Sequence, residues 1–127
     1  MTTNLSKTQK IVYWVVTGFV TFIFVGSAIG KFMANPESVE MASKFGLNTQ
    51  SFMALGAIEI AAAILFFIPR TGVVGTLLLA AYMGGAIATH LEHDESVLAP
   101  CIVEAIVFSA ALFRFPELGS RLFNTKS

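Results

Sequence analysis

Four apolar blocks, separated by short polar breaks, constrain this chain more than any other feature. They run from Ile11 to about Phe32, Phe52 to Ile68, Val73 to Thr89 and Val97 to Phe113. The first, with 22 residues, is long enough to cross ~30 Å of hydrocarbon as a helix, and the others sit near the ~17-residue lower limit. Soluble domains show apolar stripes rather than blocks and carry about 25% charged residues. Here 13% of residues are charged and 55% hydrophobic, with a mean hydropathy of +0.75. The fold class that follows is all-α integral membrane, an antiparallel bundle of four transmembrane helices in a single domain over residues 1–127. Pro69 in "IPRTG" ends the second helix, and so short a break makes the second and third helices antiparallel neighbours.

The N-terminal Lys7 and Lys10, with small residues at 26–28, raise the question of a cleaved leader. The first apolar core is longer than the ~7–15 residues of a signal h-region, so it reads as a retained span. Orientation follows from the basic residues. Lys7, Lys10, Arg70, Arg114, Arg121 and Lys126 fall on one side, while the other has Lys44 in its first loop and none in "LEHDES". Lys31 lies at the membrane edge on that second side. The positive-inside rule then places both termini in the cytoplasm, with the protein in the inner (plasma) membrane. The net charge is zero, with eight Lys/Arg and eight Asp/Glu and no basic patch, which excludes nucleic acid as a partner. Cys101 is the sole cysteine, so an internal disulfide and a dithiol site are excluded, and it reads as a buried thiol.

The ionisable residues inside the apolar blocks are few and converge in depth. Glu59 and Glu104 each lie seven residues inside a span, about 10 Å at ~1.5 Å per residue. Both spans enter from the outer side, and Lys31 and His90 end the two spans that exit there. Four helices thus bring Lys31, Glu59, His90 and Glu104 to the outer half of one bundle. A charged acid at mid-bilayer costs ~2.5 kcal/mol or more, so such groups face a protein interior and are paired, protonated or hydrogen-bonded. Ser27, one turn before Lys31, joins the same set. A Lys31–Glu59 pair has two readings: a contact that fixes helix register, or a ligand or redox site. His90 also reads as an ordinary interfacial histidine. Glu92, His93, Asp94 and Glu95 match no metal cage by spacing and read as a solvated loop, so no metal is expected.

Small residues mark close packing: Gly26 and Gly30 on the first helix, and Ala80, Ala81, Gly84, Gly85 and Ala88 on the third. The long first loop contains "SVEMASKFG", a short amphipathic helix over about 37–45 that Gly46 stops. It is expected to lie on the outer surface, over the polar set. Phe113, Phe115 and Phe123 suit the opposite membrane interface.

"GSAIGKFMANP", "LGAIEIAAAILFFIPRTG" and "AAYMGGAIATHLEH" together resemble the DoxX-like family of small four-helix membrane proteins, over roughly residues 11–113. The family takes its name from a subunit of a thiosulfate:quinone oxidoreductase. A eukaryotic relative resembles an assembly chaperone for neurotransmitter-gated channels. The resemblance and the converging depths imply two functions from different classes. One is an accessory of a membrane redox system that binds a small lipophilic molecule such as a quinone at Lys31, Glu59, His90, Glu104 and Ser27. The other is a non-enzymatic assembly factor or accessory subunit of a larger membrane complex. Outward-facing small-residue rows would favour the second. Enzyme status stays open, and beyond the lipid bilayer the partner is another membrane protein or a second copy of the chain.

Overall fold

The computed structural model describes residues 5–33 and 35–123; Lys126, counted above for orientation, lies outside them. The described chain is helical throughout: α1 (Lys7–Met33), α2 (Pro36–Lys44), α3 (Thr49–Phe67), α4 (Gly72–Glu92), α5 (Leu98–Arg114) and α6 (Pro116–Phe123), with a 3₁₀ turn at Pro69–Thr71 before α4.

Local chemistry sets the ends. At the start of α1, Ser6 Oγ accepts from the Gln9 amide at 3.1 Å and Gln9 Oε1 accepts from the Ser6 amide at 2.9 Å, a reciprocal capping box. Asn35 caps α2 and Asn48 caps α3, each accepting an amide three residues on at 2.9 and 2.7 Å. The Asn48 cap starts α3 before the apolar block at Phe52 begins. Gly46, with φ of 69°, closes α2: the Leu47 amide reaches Ala42 O at 2.8 Å and the Gly46 amide reaches Ser43 O at 3.1 Å. Asp94 takes the equivalent left-handed position after α4, with φ of 57°.

α1 packs on α3, α3 on α4 and α4 on α5, and a looser α1–α5 contact closes the ring. One core draws on all four: Val20 and Phe24 from α1, Ala62, Ala63 and Phe66 from α3, Leu79 and Met83 from α4, Val107 and Ala110 from α5. The α3–α4 crossing is tight enough that a Cβ on Gly75 would lie 2.1 Å from the Phe66 amide nitrogen. Only about 28–33% of each long apolar window is buried. The rest, including Val15, Phe22, Leu77 and Ile102, faces outward. So large an apolar exterior suits lipid rather than water.

Three helical stretches are long and apolar enough to cross a membrane: Lys7–Met33, Thr49–Phe67 and Pro69–Glu92. α5 has 17 residues and qualifies only together with α6, from which it is bent by 109°. Phe115 is buried against Gly72 rather than lying at a membrane interface, since a Cβ on Gly72 would meet its ring at 2.1 Å.

Candidate functional site

Glu59 is the eleventh of the 19 residues of α3, on the stripe that also buries Phe52, Gly56, Ala62 and Phe66. α1 carries the matching stripe Tyr13, Thr17, Val20, Phe24 and Ala28. The two helices run antiparallel, and helical side chains lean toward their own N-terminus. Lys31 therefore leans away from the end of α1 while Glu59 leans toward the start of α3, and the two meet. Lys31 Nζ lies 2.7 Å from Glu59 Oε1.

The pair is nearly closed from outside: the Glu59 side chain is 2% exposed and the Lys31 side chain 12%. Ser27 Oγ donates to Glu59 Oε1 at 3.3 Å and accepts from Lys31 Nζ at 2.7 Å. Tyr82, midway along α4, lies within electrostatic and hydrogen-bonding reach of the same carboxylate. Its ring meets Phe24 edge-on, with centroids 6.4 Å apart. The ring of Phe52 faces the Lys31 ammonium at 5.3 Å. Glu59 thus gathers a cation and two hydroxyl groups from α1 and α4.

Gly56, one turn before Glu59, makes this geometry accessible. A Cβ there would sit 3.3 Å from Ala28 O, Lys31 Cβ and the Phe32 ring. The backbones of α1 and α3 approach at that point, which lets a lysine near the end of α1 reach an acid in the middle of α3.

The other two residues of the expected set do not join this pair: His90 is engaged elsewhere, and Glu104 stands on α5. His90 Nδ1 bonds to Ala86 O of its own helix at 2.6 Å, and its ring packs on Phe45 with centroids 4.7 Å apart. His93 meets the same phenyl ring edge-on at 5.9 Å, and Lys44 lies 3.8 Å from Glu95. These contacts fasten the end of α2 to the end of α4. Glu104 is half-buried on α5, and its Oε1 is buried without a hydrogen-bond partner among the described residues. α5 starts one residue later than the apolar block and α3 starts three residues earlier, so the two acids differ in depth along their helices. Cys101 is exposed, not buried as its residue type suggested.

A second polar constellation lies at the opposite end, where α3 stops. Arg114 reads from sequence as a flanking cation, yet it is fully buried. Its guanidinium donates to Phe66 O at 2.6 Å and to Phe67 O at 3.3 Å. It also lies against the rings of Tyr13, Phe66 and Phe115, at 5.0, 4.5 and 4.7 Å from their centroids. Pro69 has no amide to offer the last turn of α3, so other groups serve those carbonyls. Ile68 N takes Ile64 O, Thr71 Oγ1 takes Leu65 O, and Arg114 takes the remaining two. A cation at a helix C-terminus is also favoured by the helix dipole.

The glycines of α1, α3 and α4 divide into two groups. At Gly56, Gly72 and Gly75 an added Cβ would meet a neighbouring helix, whereas at Gly18, Gly26, Gly30, Gly84 and Gly85 it would meet nothing within 4 Å. Ala81 and Ala88 are exposed beside the last two. The small rows of α1 and α4 therefore face outward and are not used to pack these helices on each other. An apolar groove of about 440 Å³ lies between α1 and α5, lined by residues such as Val16, Val20, Ile106 and Phe113, away from the Lys31–Glu59 pair.

No curated protein and no solved structure matches the chain. Its residues 15–113, most of its length and nearly all of the four apolar blocks, match the DoxX-like family. That match places the chain in the DoxX-like family, and the apolar helices agree with a membrane protein of that family.

Proposed function

We propose that this protein is a non-enzymatic accessory subunit or assembly factor that docks a transmembrane helix of a larger membrane protein. It acts as an antiparallel bundle of four spans, α1, α3, α4 and α5, in the inner membrane with both termini in the cytoplasm. The observation that carries this reading is the outward glycine row on α4. A glycine inside a helix is less favourable than alanine by about 1 kcal/mol, and Gly84 and Gly85 offset none of that by internal packing. In lipid, where helices associate by close backbone approach, such a face suits a partner helix. The polar cluster then fixes register: Lys31 and Ser27 of α1 bond Glu59 of α3, and Tyr82 of α4 lies within reach of it.

Co-purification from native membranes in mild detergent tests the reading, comparing wild type with Gly84→Leu/Gly85→Leu. A membrane protein that accompanies the wild type and is absent from the variant is the expected result. An unchanged set of companions for a variant that keeps its helicity and melting temperature removes it.

One observation favours a second reading, binding of a lipophilic molecule such as a quinone. Ser27 is exposed and Lys31 keeps 12% of its side chain open, so the ammonium is reachable from outside. A carbonyl oxygen of the ligand would accept from Lys31, with Glu59 or Tyr82 handling a proton. Lipid extraction of wild type and Glu59→Gln separates the readings: a stoichiometric small molecule present only in the wild type supports ligand binding.

A further inference from the structure

α6 follows α5 after a sharp corner, and the cause of the corner is local. Phe115 precedes Pro116 and takes an extended backbone, with φ of −126° and ψ of 83°. The proline ring disfavours a helical conformation at the residue before it. Pro116 then opens the new helix, where its missing amide costs nothing. The two axes differ by 109°, so α6 lies nearly across the direction of α5.

α6 is sharply two-sided. At 100° per residue, Leu118, Gly119, Leu122 and Phe123 share one arc, and Glu117, Ser120 and Arg121 share the opposite one. Gly119 turns toward α5, where an added Cβ would sit 3.6 Å from Leu112. Leu122 and Phe123 are 54% and 66% exposed, so the described residues leave most of two large apolar groups uncovered.

We infer that α6 is a membrane-surface anchor whose Leu122 and Phe123 enter the boundary between acyl chains and headgroups, and that it is not a continuation of the span. This rests on the reading in which α5 crosses the bilayer. The dimensions agree with it. The 17 residues of α5 cover about 25 Å at ~1.5 Å each, which leaves its end ~5 Å short of a ~30 Å hydrocarbon core. A helix lying flat at that end buries its apolar face ~5–10 Å into the boundary. The polar arc, with Arg121, then faces the headgroups and water. A peripheral protein partner is the other occupant this face admits, and the corner disfavours it. A helix held across the end of a short span meets the lipid boundary before it meets anything else.

Depth-dependent tryptophan quenching in the full-length protein tests the inference. The background is Trp14→Phe, and single tryptophans replace Leu122 on α6 and Phe108 midway along α5. The protein is reconstituted into phosphatidylcholine/phosphatidylglycerol vesicles carrying bromines at graded positions along the acyl chain. The expected pattern is Leu122→Trp quenched best by bromines nearest the headgroup and Phe108→Trp by the deepest ones. Leu122→Trp quenched by aqueous iodide and untouched by brominated lipid overturns the anchor and leaves the face to water or a protein. Leu122→Trp quenched as deeply as Phe108→Trp overturns it in favour of a broken span. Phe108→Trp untouched by every brominated lipid shows instead that α5 does not cross, and removes both readings together.

Discussion

A carboxylate in the middle of an apolar helix needs partners, and Glu59 finds them on two other helices. Such pairs are held less by net Coulomb gain than by the penalty of leaving one member alone. Lys31→Met should therefore destabilise the fold by about 3–5 kcal/mol, because it strands a buried acid. Lys31→Met with Glu59→Leu should recover most of that loss, read as the melting temperature in one detergent. A double variant no better than the single one would mean that Glu59 does more than balance Lys31. The pair itself was legible, since one acid inside "LGAIEIAAAILFFIPR" and one lysine at the end of a span already demand a common interior. Tyr82 was not, because a tyrosine in an apolar run reads as an amphipathic space-filler until its helix is rotated into place. Gly56 was equally hidden: its role depends on which residues of α1 stand opposite. His90 shows the reverse case, where matching depth along the sequence failed to fix the neighbour, and Phe45 from the intervening loop took the place.

At the scale of elements, helix existence was readable and helix ends were set by atoms outside the apolar pattern. Asn48 starts α3 before its apolar block begins. Pro116 creates α6 from a stretch with no apolar block at all. The most consequential end is that of α3. Arg114 supplies two hydrogen bonds from another helix to carbonyls that the end of α3 leaves unserved. A hydrogen bond from a charged group contributes about 1.5–3 kcal/mol, and a carbonyl left without a partner loses its own desolvation free energy as well. Arg114→Met should cost about 3 kcal/mol or more on that basis. Its signature should be local, with faster amide hydrogen exchange through Ile68–Thr71 and the last turn of α3. Exchange that stays slow there while stability falls elsewhere would show that Arg114 acts by filling space among its three aromatic neighbours. From sequence, Arg114 looked like one more basic flank, because burial of an arginine at a helix end is decided by what packs around it.

On the scale of the whole molecule, the apolar exterior and the family match agree on a multi-pass membrane protein. The topology proposed for it predicts that Lys44 and Arg70 lie on opposite sides. On a Cys101→Ala background, Lys44→Cys should react with a membrane-impermeant maleimide on intact cells, and Arg70→Cys only after lysis. The opposite pattern would invert the protein, and equal labelling of both would break the four-span arrangement. The buried arginine also bears on biogenesis. It closes the end of α3 from a position 48 residues further along the chain. While the ribosome is still making that stretch, two carbonyls of the emerging α3–α4 hairpin lack the partner that the folded protein gives them. The nascent hairpin is therefore incomplete until synthesis reaches Arg114, and a chain halted before that residue should be a substrate for membrane quality control rather than a smaller working protein.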